Sequence, residues 1–177
     1  TPGELRVGLC WKGSASFEND DQRSLPALEV LAPLGEVGGV RFFSLQKGRG
    51  EDEAANPPAG LAPTNLAPYI TDFSDTAAIV ANLDLVISVD TAVAHLAGAL
   101  GKPCWILLPD YKTDWRWLDA RSDSPWYPGA VRLFRQRIMG DWTEVVAEVG
   151  AELRKQALAQ CPSVIAPYGR SIFRRAQ

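Results

Sequence analysis

LVISVDTAVAHLAGALGKPCWILL, residues 85–108, sets two short apolar runs on either side of one helix-length segment. Residues 85–89 and 104–108 carry no charge and read as strands buried on both faces. The segment between them has Asp90 at the N-cap, helix over 91–100, and Gly101 as its stop. Leu96 and Leu100, four apart, are expected to form its buried stripe. A strand, a helix and a second apolar strand make one parallel crossover, the unit from which α/β sheets are built.

The same alternation extends in both directions. Residues 5–11 (LRVGLCW) and 40–45 read as further buried strands, and 131–134 as a short one. Residues 25–34 read as a helix with Ser24 as cap, Pro26 in the first turn, and Leu25, Leu28, Leu31 and Leu34 on one face. A second helix is expected to begin at 72–75 with Ser74 as cap and to run to about residue 83, and a last long one covers 142–159. Residues 48–68 and 110–129 are long loops, the second holding Trp115, Trp117, Trp126 and Tyr127. The expected fold is α/β: a Rossmann-like three-layer αβα arrangement on a mainly parallel sheet. Residues 1–160 form that domain, and 161–177 a basic tail or helix.

Composition bounds the function. The chain has 177 residues, 46% hydrophobic and 22% charged, with a formal net charge of −3. That is globular composition, and it lacks the basic excess of a general nucleic-acid binder. Residues 151–177 hold five basic residues against Glu152 alone, leaving residues 1–150 with 13 basic against 20 acidic. No apolar run is long enough to span a bilayer, and no secretory signal pattern opens the sequence. Cys10, Cys104 and Cys161 are widely spaced, and there is one histidine, so neither a zinc site nor a disulfide framework is expected. Cys10 and Cys104 read as small strand hydrophobes. The expected location is the cytoplasm, with a peripheral place at the inner membrane left open.

Ligands of such sheets sit beyond the carboxyl ends of the strands. Lys12, Gly13 and Ser14 follow the first strand, in a loop leading to Arg23 and Ser24. Glycine admits a backbone approach to an anion, and the cations supply charge, although no GxxxxGK[ST] motif is present. Gln46 and Lys47 follow the second strand; an amide can donate and accept, as the edge of a base or a ribose requires. After the third strand, the free N–H groups of Thr91, Ala92 and Val93 open a helix, with Thr91 and His95 on one face. This set suits an anion held at a helix N-terminus beside a hydroxyl and an imidazole. The Trp-rich loop reads equally as a stacking surface or as a hydrophobic plug.

The runs GLCWKGS (8–14), RSLPALEVLAPL (23–34), FFSLQKG (42–48), DFSDTAAIVANLDLVISVDTAVAHLAGALGKPCWILLP (72–109), DWRWL (114–118) and SPWYPGAVRLFRQ (124–136) resemble the C-terminal half of heptosyltransferase-like proteins. These are glycosyltransferase family 9, and the resemblance is closest to the branch with tetratricopeptide repeats upstream. It covers about residues 4–155, and DTAVAHLAGALGKP is its most specific block. It implies the C-terminal, donor-binding domain of a GT-B enzyme, with an acceptor-binding N-terminal domain supplying the catalytic carboxylate. By resemblance, Asp90, Thr91, Ala92 and His95 lie at the diphosphate and sugar of the donor. Lys12, Ser14 and Arg23 line the diphosphate from the opposite loop, Gln46 and Lys47 lie near the nucleoside, and Asp72 and Phe73 border the base. Two positions depart from the heptosyltransferase pattern: Ala92 stands where glycine is common, and Gln46 where an acid is frequent. The identity of sugar and base is therefore not carried over.

The implied chemistry is inverting transfer of a sugar from a nucleoside diphosphate to an acceptor hydroxyl. Lys12, Arg23, His95 and helix N–H groups would stabilise the leaving diphosphate, an electrostatic role that requires no metal or other cofactor. No residue of this chain reads as the general base that deprotonates the acceptor. The chain alone is expected to bind the donor without efficient turnover, with an abrupt start where an interdomain linker would enter and a tail that returns to the N-terminal domain. A non-catalytic nucleotide-binding or interaction module, and a GT-B-like epimerase or sugar-nucleotide hydrolase, remain as alternatives. A receiver-type domain is disfavoured, because no acidic pair follows the first strand.

Overall fold

The computed structural model describes residues 3–160. Six strands form one sheet: β1 (Leu5–Cys10), β2 (Val40–Ser44), β3 (Thr64–Asn65), β4 (Leu85–Val89), β5 (Cys104–Leu108) and β6 (Val131–Arg135). Their order is β3-β2-β1-β4-β5-β6, and every pairing is parallel. This is the doubly wound order of Rossmann-like domains.

Side chains alternate across the sheet and build two cores. On one face, Leu5, Val7 and Leu9 of β1 and Leu85, Ile87 and Val89 of β4 pack with Leu28, Leu31 and Leu34. Val145, Val149 and Leu153 of the long helix α4 (Thr143–Gln160) join them. On the other face, Cys10, Val86, Cys104, Ile106 and Leu108 pack against Val80, Ala94 and Ala97. These last come from α2 (Phe73–Ala81) and α3 (Ala92–Ala99). The result is a three-layer αβα domain. Cys10 and Cys104 are buried free thiols whose burial pushes their pKa values up, which keeps them protonated and inert.

Several elements differ from the sequence-based expectation. The leucine-rich segment is a 3-10 helix, Leu28–Glu36, with Pro33 inside it, and a short α1 (Asp20–Arg23) precedes it. Its leucines recur at every third residue, the period of a 3-10 helix, whose i and i+3 side chains eclipse. No helix therefore begins at Ser24. The N-cap of α2 is Asp72, not Ser74: its carboxylate accepts from Ser74 N and Asp75 N, and Asp75 completes a capping box. In α3 the N-cap is Thr91, one residue past Asp90. The expected Leu96 and Leu100 stripe is absent: Leu100 is exposed, and Ala94, Ala97 and Gly98 face inward instead. Small residues let this helix lie close to its neighbours. Residues 48–68 contain the edge strand β3 and a single 3-10 turn, Glu51–Ala54, and a second turn, Ala67–Tyr69, starts at their end. Residues 161–177, the greater part of the basic C-terminal segment, lie outside the described residues, as does Cys161.

Strand register fixes where a ligand would sit. Leu9 pairs with Ser44 on one side and Ile87 on the other, and Cys10 pairs with Ser88. The carboxyl ends of β1, β2 and β4 therefore lie side by side. The chain winds away in opposite directions from the β1–β4 junction, which opens a crevice there.

Candidate functional site

A cleft of about 820 Å3 opens at that junction. Lys12, Gly13, Ser14 and Arg23 line one wall, and Gln46 and Lys47 the next. Asp72 and Phe73 lie at the start of α2, and Asp90, Thr91, Ala92 and His95 at the start of α3. Of the residues expected at the donor, Ser24 alone is absent from the cleft lining. Its Oγ accepts from Gly13 N at 2.8 Å and donates to Asp20 at 2.8 Å. Arg49, Phe17 and Asp114 also line the cleft and were not anticipated as site residues.

Geometry revises several individual readings. Gln46 is buried, and its Oε1 accepts from Trp11 N and Lys12 N, both at 2.9 Å. Its Nε2 donates to the carbonyls of Lys12 at 3.0 Å and Arg49 at 2.8 Å. Every strong hydrogen-bonding site of the amide is committed to backbone, so Gln46 braces the loops after β1 and β2 and has no edge left to offer a base.

The cations of the cleft are all paired. Lys12 Nζ lies 2.5 Å from Glu53 Oε1, and the other oxygen of Glu53 accepts from the Trp11 indole at 3.0 Å and Leu28 N at 2.6 Å. Lys47 Nζ donates to Ala67 O at 2.9 Å and lies 3.6 Å from Glu51. Arg23 and Arg49 share Asp20, a carboxylate only 3% exposed. Arg23 also lies over the Phe17 ring at 4.0 Å, an amphipathic cover for its guanidinium. A Cβ at Gly13 would fall 2.6 Å from Asp20 Oδ1, so a side chain there would have to displace the carboxylate of this cluster. Asp20, Arg49 and Glu53 were missed in the sequence because each acts on a partner distant along the chain. Glu53 lay in a segment read only as loop.

The opposite wall is built around His95. Thr91 O accepts from Ala94 N and His95 N, so the N–H groups of Ala92 and Val93 precede the α3 ladder, and both residues line the cleft. The Thr91 hydroxyl is 2.9 Å from Ser88 Oγ. His95 Nδ1 is 2.9 Å from the Tyr127 hydroxyl, and Nε2 is 3.7 Å from Asp90 Oδ1. The imidazole stacks on Trp117 at 4.9 Å with 21° between the planes. The Trp-rich loop thus divides its tasks. Trp117 is a buried floor beneath His95, while Trp115 and Trp126 make an exposed edge-to-face pair at 5.0 Å. Asp114 caps the short 3-10 turn Trp115–Trp117 and binds Arg116 at 3.0 Å. Among the described residues, no group of three or more His, Cys, Asp and Glu side chains is gathered to hold a metal ion. None of the described helices is long and apolar enough to cross a membrane.

Comparison with known proteins places this architecture. The family model of glycosyltransferase family 9 (heptosyltransferase) matches residues 27–107. Protein FlbA of Caulobacter vibrioides is 33% identical over 153 residues, covering 84% of this chain and 25% of FlbA. Among solved structures, the E. coli ADP-heptose LPS heptosyltransferase II shares the fold with a TM-score of 0.58 and 17% identity, over 90% of this chain and 48% of that protein. The E. coli heptosyltransferase WaaC with ADP aligns with a TM-score of 0.51 and 18% identity, over 88% and 46%. The chain spans about a quarter of the curated relative and about half of each solved structure. Residues 27–107 thus carry the match to glycosyltransferase family 9, and the chain shares its fold with the two heptosyltransferases.

Proposed function

We propose that this domain binds the nucleoside-diphosphate sugar of an inverting glycosyltransferase, and that a second domain supplies the acceptor site and the general base. The observation that carries the reading is the cleft itself. It lies at the switch point of the sheet and joins the N-terminus of α3 to His95 and to the Lys12 and Arg23 wall. When the bond between sugar and diphosphate breaks, negative charge grows on the leaving phosphate. The N–H groups of Ala92 and Val93, His95 Nε2 and the flanking cations are the groups available to meet it. No metal enters this reading. Asp72 and Phe73 would border the base, and Gln46 would hold the loops that shape the pocket. The acceptor domain, with any tetratricopeptide repeats, would lie in a longer protein of which this domain is a part.

Calorimetric titration of the chain with UDP, ADP and GDP tests the proposal. Binding of at least one nucleotide is expected, weakened by about tenfold in His95→Ala, equivalent to about 1.4 kcal/mol. Undiminished binding in that variant overturns the site. Efficient sugar transfer by the 177 residues alone would overturn the division of labour between domains. The rival reading, a non-catalytic interaction module, draws on the fact that each cleft cation already has a carboxylate partner. Failure to bind any of the three nucleotides would favour it.

A further inference from the structure

His95 is the one histidine of the chain, and its ring is held from three sides by residues that are not its sequence neighbours. Tyr127 approaches Nδ1, Trp117 lies flat beneath the ring, and Asp90 faces Nε2. Tyr127 reaches this position because α3 has no side chain at residue 98. A Cβ on Gly98 would fall 2.6 Å from Tyr127 Cγ. Glycine inside a helix is disfavoured relative to alanine, so the open position is held against helix propensity.

A neutral imidazole has one donor nitrogen and one acceptor nitrogen, and the partner of one fixes the other. A phenol can serve either. A carboxylate only accepts, so a bare Nε2 facing Asp90 would set two acceptors against each other. A proton on Nε2 removes that conflict and leaves Nδ1 as the acceptor for the Tyr127 hydroxyl.

We propose that Tyr127 is a positioning residue: it donates its O–H to His95 Nδ1 and fixes the imidazole as the Nε2–H tautomer, with that N–H on the Asp90 side of the cleft. The proposal rests on the reading of the cleft as a diphosphate site, for it makes His95 a ready hydrogen-bond donor to an anionic oxygen without requiring a charged ring. Trp117 sets the plane of the imidazole and Gly98 gives Tyr127 its room.

A single histidine makes the test direct. The 177-residue chain is labelled with 15N-histidine, and long-range proton–nitrogen spectra are recorded at about pH 8, where an ordinary imidazole is neutral. The expected result is one ring, protonated at Nε2 and unprotonated at Nδ1. A ring protonated at Nδ1, or a rapidly averaging mixture, overturns the proposal without touching the nucleotide reading. In Tyr127→Phe the ring nitrogens are expected to move to averaged positions, and affinity for the nucleotide bound by the wild type to fall about threefold to tenfold, the worth of one hydrogen bond. Gly98→Ala, which disturbs Tyr127 through its ring while leaving the hydroxyl in the sequence, is expected to shift the same two nitrogens. Unchanged nitrogen positions in both variants overturn the proposal. Nucleotide binding that fails in the wild type, with the Nε2–H tautomer present, would instead remove the diphosphate reading and leave the tyrosine's positioning intact.

Discussion

Gln46 shows how a residue can be noticed in a sequence for one reason and used in the fold for another. Its place after a strand suggested contact with a ligand, but its amide closes four bonds to the backbone of Trp11, Lys12 and Arg49. Gln46→Leu would remove the amide's bonds to two N–H groups and two carbonyls at similar volume. It is expected to lower stability by about 2–4 kcal/mol, measured by urea unfolding. A loss below about 0.5 kcal/mol would show that the amide is dispensable to the loops. Lys12 shows the other case: it lines the cleft as its spacing suggested, and its ammonium also rests on Glu53, a partner the spacing did not show. Residue types and their distance from strand ends were legible. Partners were not, because Glu53, Asp20 and Tyr127 reach the site through tertiary packing that no local pattern encodes.

Elements with a strong local signal were read closely, and those resting on one period were not. β4 and β5 are bounded by the residues expected, because uncharged five-residue runs set between Asp84 and Asp90, and between Pro103 and Pro109, allow little else. The leucines at 25, 28, 31 and 34 suggested an α-helix, yet a spacing of strictly three belongs to the 3-10 geometry that forms, and Pro33 removes a donor from the interior. At α2 the cap was displaced by two residues, since Asp72, Ser74 and Asp75 can each serve and only the chain direction selects Asp72. Asp72→Ala breaks the capping box and is expected to cost about 1 kcal/mol, read as a lowered urea midpoint, with Ser74→Ala nearly silent. Equal losses in the two variants would return the cap to Ser74.

Across the whole molecule, the parallel sheet and its layers were legible from alternation alone. The short edge strand β3 was not, because a two-residue strand has no period. The far edge is tied down by charge: Arg132 of β6 and Lys155 of α4 bind Glu152 at 2.8 and 2.6 Å. Hydrogen bonds from Arg132 and then Lys155 bring its pKa down from the ordinary 4.5 to about 2. The folded protein holds this proton less tightly than the unfolded chain. The link is therefore complete above the ordinary carboxylate range and is lost as the pH falls through about 2. A carboxyl titration by NMR is expected to place the Glu152 midpoint near 2, and Arg132→Gln to raise it toward 4.5; an unmoved midpoint would remove Arg132 as the cause. On the opposite side of the domain, the paired cations have a different consequence. Asp20 is buried between Arg23 and Arg49, and Asp21 lies 3.5 Å from Arg49 as well, so an arriving anion would meet a cluster whose charges are already matched. An anion arriving there takes part in an exchange of counter-ions, in which dissolved salt loosens the old pairs and the new ones together. Affinity at such a site declines less steeply with ionic strength than at a cleft of four bare cations.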